Sequence, residues 1–419
     1  MNVKTVTING KRLSDSIHEL SQFGQNDGGG LDRTTFTDSE LKARDWLKEQ
    51  LSKLNVHVHT DEAANIWGKR VGQKKRSIVC GSHIDTVPNG GKFDGALGVL
   101  IGLEILRTLE ENEIETEHDV ELVSFSAEEP NPFGLSTFGS RAMAGKLTAE
   151  QIKGVRNADG MRLIDALERA GGNAAQFDHC VRRENDLLAY LEVHIEQGKR
   201  LIDAQVPLGI VTGITGIYRE ELTIKGVPNH AGTTVMTDRT DALVAAAELI
   251  LAVKNVCTDF PKAELVGTVG QIHVLPNATN IIPGEVVLAV EIRGEKTEDL
   301  QKVQQELQEK KAYVETTYGV QIETKVRLNQ APVAMSENVM TVMERQAEIG
   351  GFPTMRLGSM AGHDAAHMAS LTSAGMIFVP SVDGKSHCPE EESKMEDIEK
   401  AANVCLRTLL EIDREGGSM

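Results

Sequence analysis

The sequence predicts an α/β protein: a catalytic domain on a mixed, mostly parallel sheet with helices on both faces, interrupted by an inserted ferredoxin-like α+β domain. Three observations predict it. The first half alternates short, near-continuous apolar runs with helical patterns, as strands covered on both faces of a parallel sheet do. The stretch from about 215 to 328 changes to the order βαββαβ. After Pro332 the strand–helix pattern resumes. The 419 residues also exceed what one hydrophobic core commonly holds. The expected domains are residues 1–214 with 330–419, a discontinuous catalytic domain, and residues 215–329.

Residues 77–82 (SIVCGS) form an apolar run short enough for a buried strand, and Ala96 to Leu109 carries helical spacing. Val120 to Ser126 and Leu187 to Val193 read as further strands. In the insert, Tyr218–Lys225, Leu265–Val274, Val286–Ile292 and Gln321–Arg327 read as strands, and Asp238–Val253 and Glu298–Thr317 as helices. Helices over 336–349, from His363 and over 394–412, with a strand over 375–379, complete the first domain. The acidic block from Glu110 to Glu121 is expected to be a solvated helix end and loop.

The hydrophobic fraction of 40% and charged fraction of 25% are those of an ordinary globular protein. A net charge of −18 argues against a nucleic-acid partner, whose phosphates call for a basic stripe. No apolar run approaches the ~18 residues that span a bilayer, so no membrane association is expected. The leading MNVKTVTINGKRL lacks the apolar stretch and cleavage site of a secretory signal, and the chain is expected in the cytoplasm. Cys80, Cys180, Cys257, Cys388 and Cys405 are scattered, odd in number and without a CxxC, which suits reduced thiols.

Four polar segments carry the chemistry. GSHIDTVPNGGKFDG (81–95) directly follows a strand. His83 and Asp85 sit two apart and share a face if strand geometry persists. A ligand histidine commonly hands its second ring N–H to a carboxylate, so His83 is assigned as a ligand and Asp85 as its partner. Asp94 opens the next helix, and one carboxylate can bridge two cations ~3.5–4 Å apart. SFSAEEPNPFG (124–134) also follows a strand; of its adjacent glutamates one can bind metal while the other takes a proton from water. EVHIEQG places His194 at a third strand end, and GKSHCPEE places His387 in a loop after a fourth. Singly, each is a common surface feature. Their coincidence past strands of one sheet puts them on one rim, and imidazoles with carboxylates suit zinc, manganese or cobalt better than calcium or magnesium.

SHIDTVPNGGKFDGALGV, the AEEP pair, EVHIEQG, PNHAGTT, AGHDA and SHCPEE together resemble the M20-type metal-dependent amidohydrolases of the carboxypeptidase-like peptidase family. Within it the chain is similar to the branch of N-carbamoyl-L-amino acid hydrolases, β-ureidopropionases and allantoate amidohydrolases. The likeness runs from about residue 10 to 412, with the motifs in the family's order. It implies two divalent ions per subunit (zinc, manganese, cobalt or nickel): His83 and His194 on one, Glu129 and His387 on the other, Asp94 between them. It implies Glu128 as general base, Asp85 as the carboxylate orienting His83, and a homodimer formed through the inserted domain, which acts as a lid. His230 matches a lid histidine that reaches an active site, expected to be the partner subunit's, and helps stabilise the oxyanion. Gln197, His230, Asn280, Arg293 and His363 match positions that hold the substrate, and a guanidinium such as Arg293 clamps a carboxylate bidentately. Met360 in LGSMAGHDA departs from the glycine of many members and is expected to narrow the pocket.

The resemblance implies hydrolysis of the ureido C–N bond of a small carboxylate-bearing substrate. GITGIYREELTIKG and EEPNPFGLSTFGSR favour N-carbamoyl-L-amino acids over allantoate and β-ureidopropionate. NHAGTT with Asn280 and Arg293 disfavours a dipeptidase or aminoacylase, and a non-catalytic binding protein would have lost a ligand or the base.

Overall fold

Residues 6–260 and 265–416 are described by a computed structural model. Residues 1–5, 261–264 and 417–419 lie outside it, and with them the start of the N-terminal segment and four residues of the insert. Among the described residues the strands are β1 His57–Thr60, β2 Ile66–Arg70, β3 Lys74–His83, β4 His118–Phe125, β5 Leu187–Ile195, β6 Leu208–Ile214, β7 Gly216–Lys225, β8 Leu265–Leu275, β9 Glu285–Gly294, β10 Gln321–Gln330, β11 Val333–Ala334, β12 Thr354–Ser359 and β13 Ser373–Val379.

Nine strands form one sheet in the order β1-β2-β4-β3-β5-β13-β6-β11, with β12 paired to β6. At its centre β4, β3, β5 and β13 are mutually parallel, while β2 and β6 join antiparallel. The apolar runs seen in sequence are the central strands: β4 and β5 are buried at every position. The helix Ala96–Glu111 packs on β3, β4 and β5, and Met395–Glu415 packs on β5 and β13. Gly98 lets the first of these lie against the sheet, since a Cβ there would stand 2.7 Å from the Val193 carbonyl oxygen.

The remaining four strands form a separate antiparallel sheet, β10-β7-β9-β8. Its elements follow the order strand, helix Ala242–Thr258, two strands, helix Thr297–Tyr318, strand. One face is covered: Leu222, Ile224, Val286, Leu288, Val290 and Ile292 bury against Ala245, Leu249, Val253, Val303 and Leu307. The chain divides into two compact units, Met1–Thr212 with Ala334–Leu357 and His363–Met419, and Gly213–Val333 with Gly358–Gly362. The short Gly358–Gly362 segment, read from sequence within the first domain, packs with the second unit.

Two sequence expectations need correction. The Glu110–Glu121 block is not solvated throughout. The helix ends at Glu111, but His118 to Glu121 enter buried β4, where Asp119 pairs with Lys69 at 2.5 Å and Glu121 with Arg182 at 3.1 Å. These partners come from distant segments, so local charge patterning could not announce them. The helix expected from His363 is only the single turn Ala365–Met368.

Candidate metal centre

Because β3, β4 and β5 run parallel side by side, their carboxyl ends share one edge. His83 is the last residue of β3, His194 lies one residue before the end of β5, and Glu128 and Glu129 follow β4 across a reversal at Ala127 (φ 51°). Asp94 precedes the helix Ala96–Glu111. Gly95 between them has φ 63°, and a Cβ there would lie 2.2 Å from His83 Nε2, so only glycine admits the ring. His387 reaches the same edge from the loop after β13.

The ligand atoms of His83, Asp94 and His194 lie within 4.8 Å of one another, as do those of Asp94, Glu129 and His387. Asp94 belongs to both groups. Its Oδ1 is 3.2 Å from His194 Nε2 and 3.9 Å from His83 Nε2, and its Oδ2 is 3.2 Å from His387 Nε2. Glu129 Oε1 is 3.3 Å from His387 Nε2, and Glu128 Oε2 is 3.6 Å from His83 Nε2. The five candidate ligands and Glu128 thus converge. A third group, Glu192 with His194 and His363, is a poorer ligand set. Glu192 already accepts hydrogen bonds from Ser82 Oγ, Tyr190 OH and the Ala365 amide. His363 lies edge-on to His194, ring centroids 4.5 Å apart.

The tautomers suit ligation. His83 Nδ1 donates to the Asp85 carbonyl (3.0 Å) and His194 Nδ1 to the Ile195 carbonyl (2.9 Å), so Nε2 of each ring is the atom turned toward the centre, where His194 Nε2 also meets the Gly95 amide at 3.1 Å. The expected contact of His83 with the Asp85 carboxylate is longer, 3.6 Å. That carboxylate instead accepts from Thr35 Oγ1 and from the amides of Glu128 and Glu129, at 2.8, 3.2 and 3.2 Å. Asp85 therefore braces the loop carrying both glutamates. From the far side, the amides of Thr137 and Phe138 donate to the carbonyls of Glu128 and Ala127.

Charge is concentrated in a dry place. Burial pushes the Glu128 carboxyl well above the usual range; His83 opposes this, and Glu129, Asp364 and Asp85 add to it. Burial also works to raise Asp94, but the imidazoles of His194, His387 and His83 hold it well below. Hydrogen bonds to Asp94 and Glu129 raise His387 to about 10. Gln197 Oε1 is buried without a hydrogen-bond donor, and Glu129 Oε1 is buried with His387 Nε2 beside it at 3.3 Å. Closely packed carboxylates, inward-facing ring nitrogens and the orphaned Gln197 oxygen form an N/O donor set that fits two divalent cations.

Gln197 adopts φ 57° and donates Nε2 to Asp94 Oδ2 at 2.7 Å, so it sits on the shared carboxylate. In the second unit, His230 and Asn280 lie on adjoining segments: His230 bridges Ile281, and the Ala231 amide donates to the Asn280 carbonyl at 3.0 Å. Arg293, on β9, donates Nε to Glu291 (2.8 Å) and Nη1 to the Met360 carbonyl (2.8 Å). Sequence reasoning missed Ser386, whose hydroxyl is 2.7 Å from Asp94 Oδ2, and Glu391, which accepts from the Phe93 and Asp94 amides. Both stand inside the quoted GKSHCPEE, one residue before and four after His387. A buried carboxylate or hydroxyl near ligands looks like any polar loop residue until the loops are packed.

A doubly grouped Asp/Glu/His centre at the carboxyl edge of a parallel sheet, with a buried carboxyl beside it, is the donor set of a metal-dependent hydrolase. The chain belongs to peptidase family M20/M25/M40, whose profile matches residues 79–411. It is 37% identical over 407 residues to an N-carbamoyl-L-amino acid amidohydrolase of Geobacillus stearothermophilus, covering 97% of this chain and 99% of that one. It is 35% identical to the enzyme of the same name from a Pseudomonas species, over 97% of this chain and 99% of the relative. A crystal structure of an amidase of the hydantoinase/carbamoylase family from Burkholderia multivorans superposes with a TM-score of 0.89 at 33% identity, covering 97% of this chain and 98% of that one. No helix among the described residues is long and apolar enough to cross a membrane.

Proposed function

We propose that the chain hydrolyses the ureido C–N bond of N-carbamoyl-L-amino acids. One water is consumed, and the free amino acid, ammonia and carbon dioxide are released. The observation that carries the reading is Asp94 shared between two ligand groups, with Glu128 3.6 Å from one ligand imidazole. Two relatives similar over nearly their whole length bear the carbamoyl-amino-acid name, which favours this substrate over allantoate or β-ureidopropionate.

His83 and His194 would hold one cation and Glu129 and His387 the other, with Asp94 common to both. Bound there, divalent cations supply Lewis acidity that activates water and polarises a carbonyl. Glu128 takes a proton from the attacking water and returns it to the leaving nitrogen. Its burial supports this, because a carboxylate held out of water takes up a proton more readily than an exposed one. Asp85 keeps Glu128 in place through the loop amides. Gln197 and His363 border the centre as substrate contacts.

The inserted domain (215–329) serves as a ferredoxin-like lid and dimerisation module. Its four-stranded order and its exposed apolar residues, Leu251 on one helix and Val266 and Ile272 on edge strand β8, support that role. In this reading His230 serves the partner subunit's site by stabilising the developing oxyanion, Asn280 holds the ureido group, and Arg293 clamps the carboxylate. The Met360 carbonyl fixes Arg293 at 2.8 Å, and the Met360 side chain, where many relatives carry glycine, narrows the pocket. The test is ammonia release from N-carbamoyl-L-amino acids, β-ureidopropionate and allantoate by metal-stripped protein reloaded with zinc, manganese, cobalt or nickel. Carbamoyl-amino acids are expected to turn over fastest; a preference of tenfold or so for allantoate would overturn the substrate assignment.

A further inference from the structure

Glu391 has no part in the chemistry above, yet its carboxylate is braced directly behind a metal ligand. It is 2% exposed, and no Lys or Arg forms an ion pair with it among the described residues. An unpaired buried carboxylate is costly unless hydrogen bonds hold it. Oε1 accepts the amides of Phe93 (2.8 Å) and Asp94 (3.1 Å). Oε2 lies 3.0 Å from Ser386 Oγ, which is itself 2.7 Å from Asp94 Oδ2.

One side chain therefore meets Asp94 twice, through its backbone and through a hydroxyl on its carboxylate. The carboxylate has no room to swing. A Cβ at Gly91 would lie 2.2 Å from Glu391 Oε1, and the Glu391 amide is tied to the Cys388 carbonyl at 3.1 Å. The same contacts join the loop before Asp94 to the loop carrying His387, so ligands from both groups share one brace.

We propose that Glu391 is a positioning residue that orients Asp94 so that its two oxygens serve both cation sites at once. The proposal rests on Asp94 being the shared ligand. It requires hydrogen-bond geometry at residue 391 more than charge. Glutamine keeps an acceptor for the two amides and offers Ser386 a donor, whereas aspartate keeps the charge but is too short to reach.

The experiment is titration of metal-stripped protein with Co2+, followed by its visible absorption and by competition with a chelator. The unfolding temperature of each metal-free variant is measured alongside. Glu391→Ala and Glu391→Asp should weaken the second Co2+ to bind by about 10–100-fold, the range for lost outer-shell partners. Glu391→Gln should bind both ions like the wild type, and the metal-free unfolding temperatures should change little. Unchanged Co2+ affinity in Glu391→Asp, or a loss in Glu391→Gln as large as in Glu391→Asp, would overturn the proposal; Glu391→Asp decides the matter if Glu391→Ala does not fold. A wild type that binds fewer than two Co2+ per chain would instead overturn the two-cation reading on which the proposal stands.

Discussion

Strands β4 and β5 of the large sheet are buried at every position, whereas β9 of the small sheet alternates buried and half-buried residues along its length. The first pattern follows from helices on both faces, the second from helices on one face only. The consequence for chemistry is direct. Where both faces are covered, polar groups collect at the dry carboxyl edge and must satisfy one another, as His83, Asp94, Glu129 and His194 do. Where one face is open, His230, Asn280 and Arg293 stand partly or fully exposed and are held by short local contacts such as Arg293 to Glu291. The large unit is built to hold charge, and the small one to present it.

The largest effect should come from the dry edge. Glu128→Gln is expected to lower kcat by about 10²–10⁴-fold, the usual worth of a general base, with Co2+ stoichiometry unchanged. A variant keeping more than about a tenth of wild-type kcat would show that the proton goes elsewhere. In the open sheet, Arg293→Ala should cost about 10–100-fold in kcat/KM for a carbamoyl-amino acid, as expected for a lost charged hydrogen bond. It should cost much less for the corresponding carboxamide; equal losses on both would remove the clamp role.

A smaller effect separates the edge from its surroundings. Burial, with Lys146 and Arg141 nearby, lowers His367 to about 3. The unfolded chain thus binds a proton at this residue, near its ordinary value of about 6.5, that the folded chain refuses. Stability from this site is present above pH 6.5 and is lost as pH falls from there toward 3. His367→Gln should flatten the fall in unfolding temperature between pH 7 and 4; identical slopes would contradict the shift. The smallest effect on stability is expected at Leu251, 54% exposed on the second unit. Leu251→Lys should change folding stability by about 0.5 kcal/mol or less while shifting sedimentation from dimer toward monomer. A wild type that sediments as a monomer would rule out the dimerisation role.

Legibility in the sequence followed the same division. The runs SIVCGS and Leu187–Val193 were readable because double-sided burial leaves continuous apolar stretches. The small sheet was readable because its strands alternate. The hairpin β1–β2, with strands of four and five residues, and strands β6 and β12, whose pairing partners lie far along the chain, were not. At the site, His83, His194 and the Glu128–Glu129 pair were legible as polar breaks at apolar strand ends. Pairing the ligands and separating base from ligand came from the family resemblance. Glu391 and the strap from Asp85 to the glutamate amides were illegible, because each depends on loops more than 40 residues apart closing on one another.

In the proposed function one carboxylate, Asp94, unites two cation sites into the centre that breaks a ureido C–N bond. Metal content and ammonia release from an N-carbamoyl-L-amino acid, measured together on wild type and Asp94→Ala, test it most directly. Two divalent ions per chain and turnover in the wild type, with metal and activity both lost in Asp94→Ala, are the predicted result. An Asp94→Ala protein that keeps two ions and wild-type ammonia release would show that Asp94 is not the ligand joining the two sites.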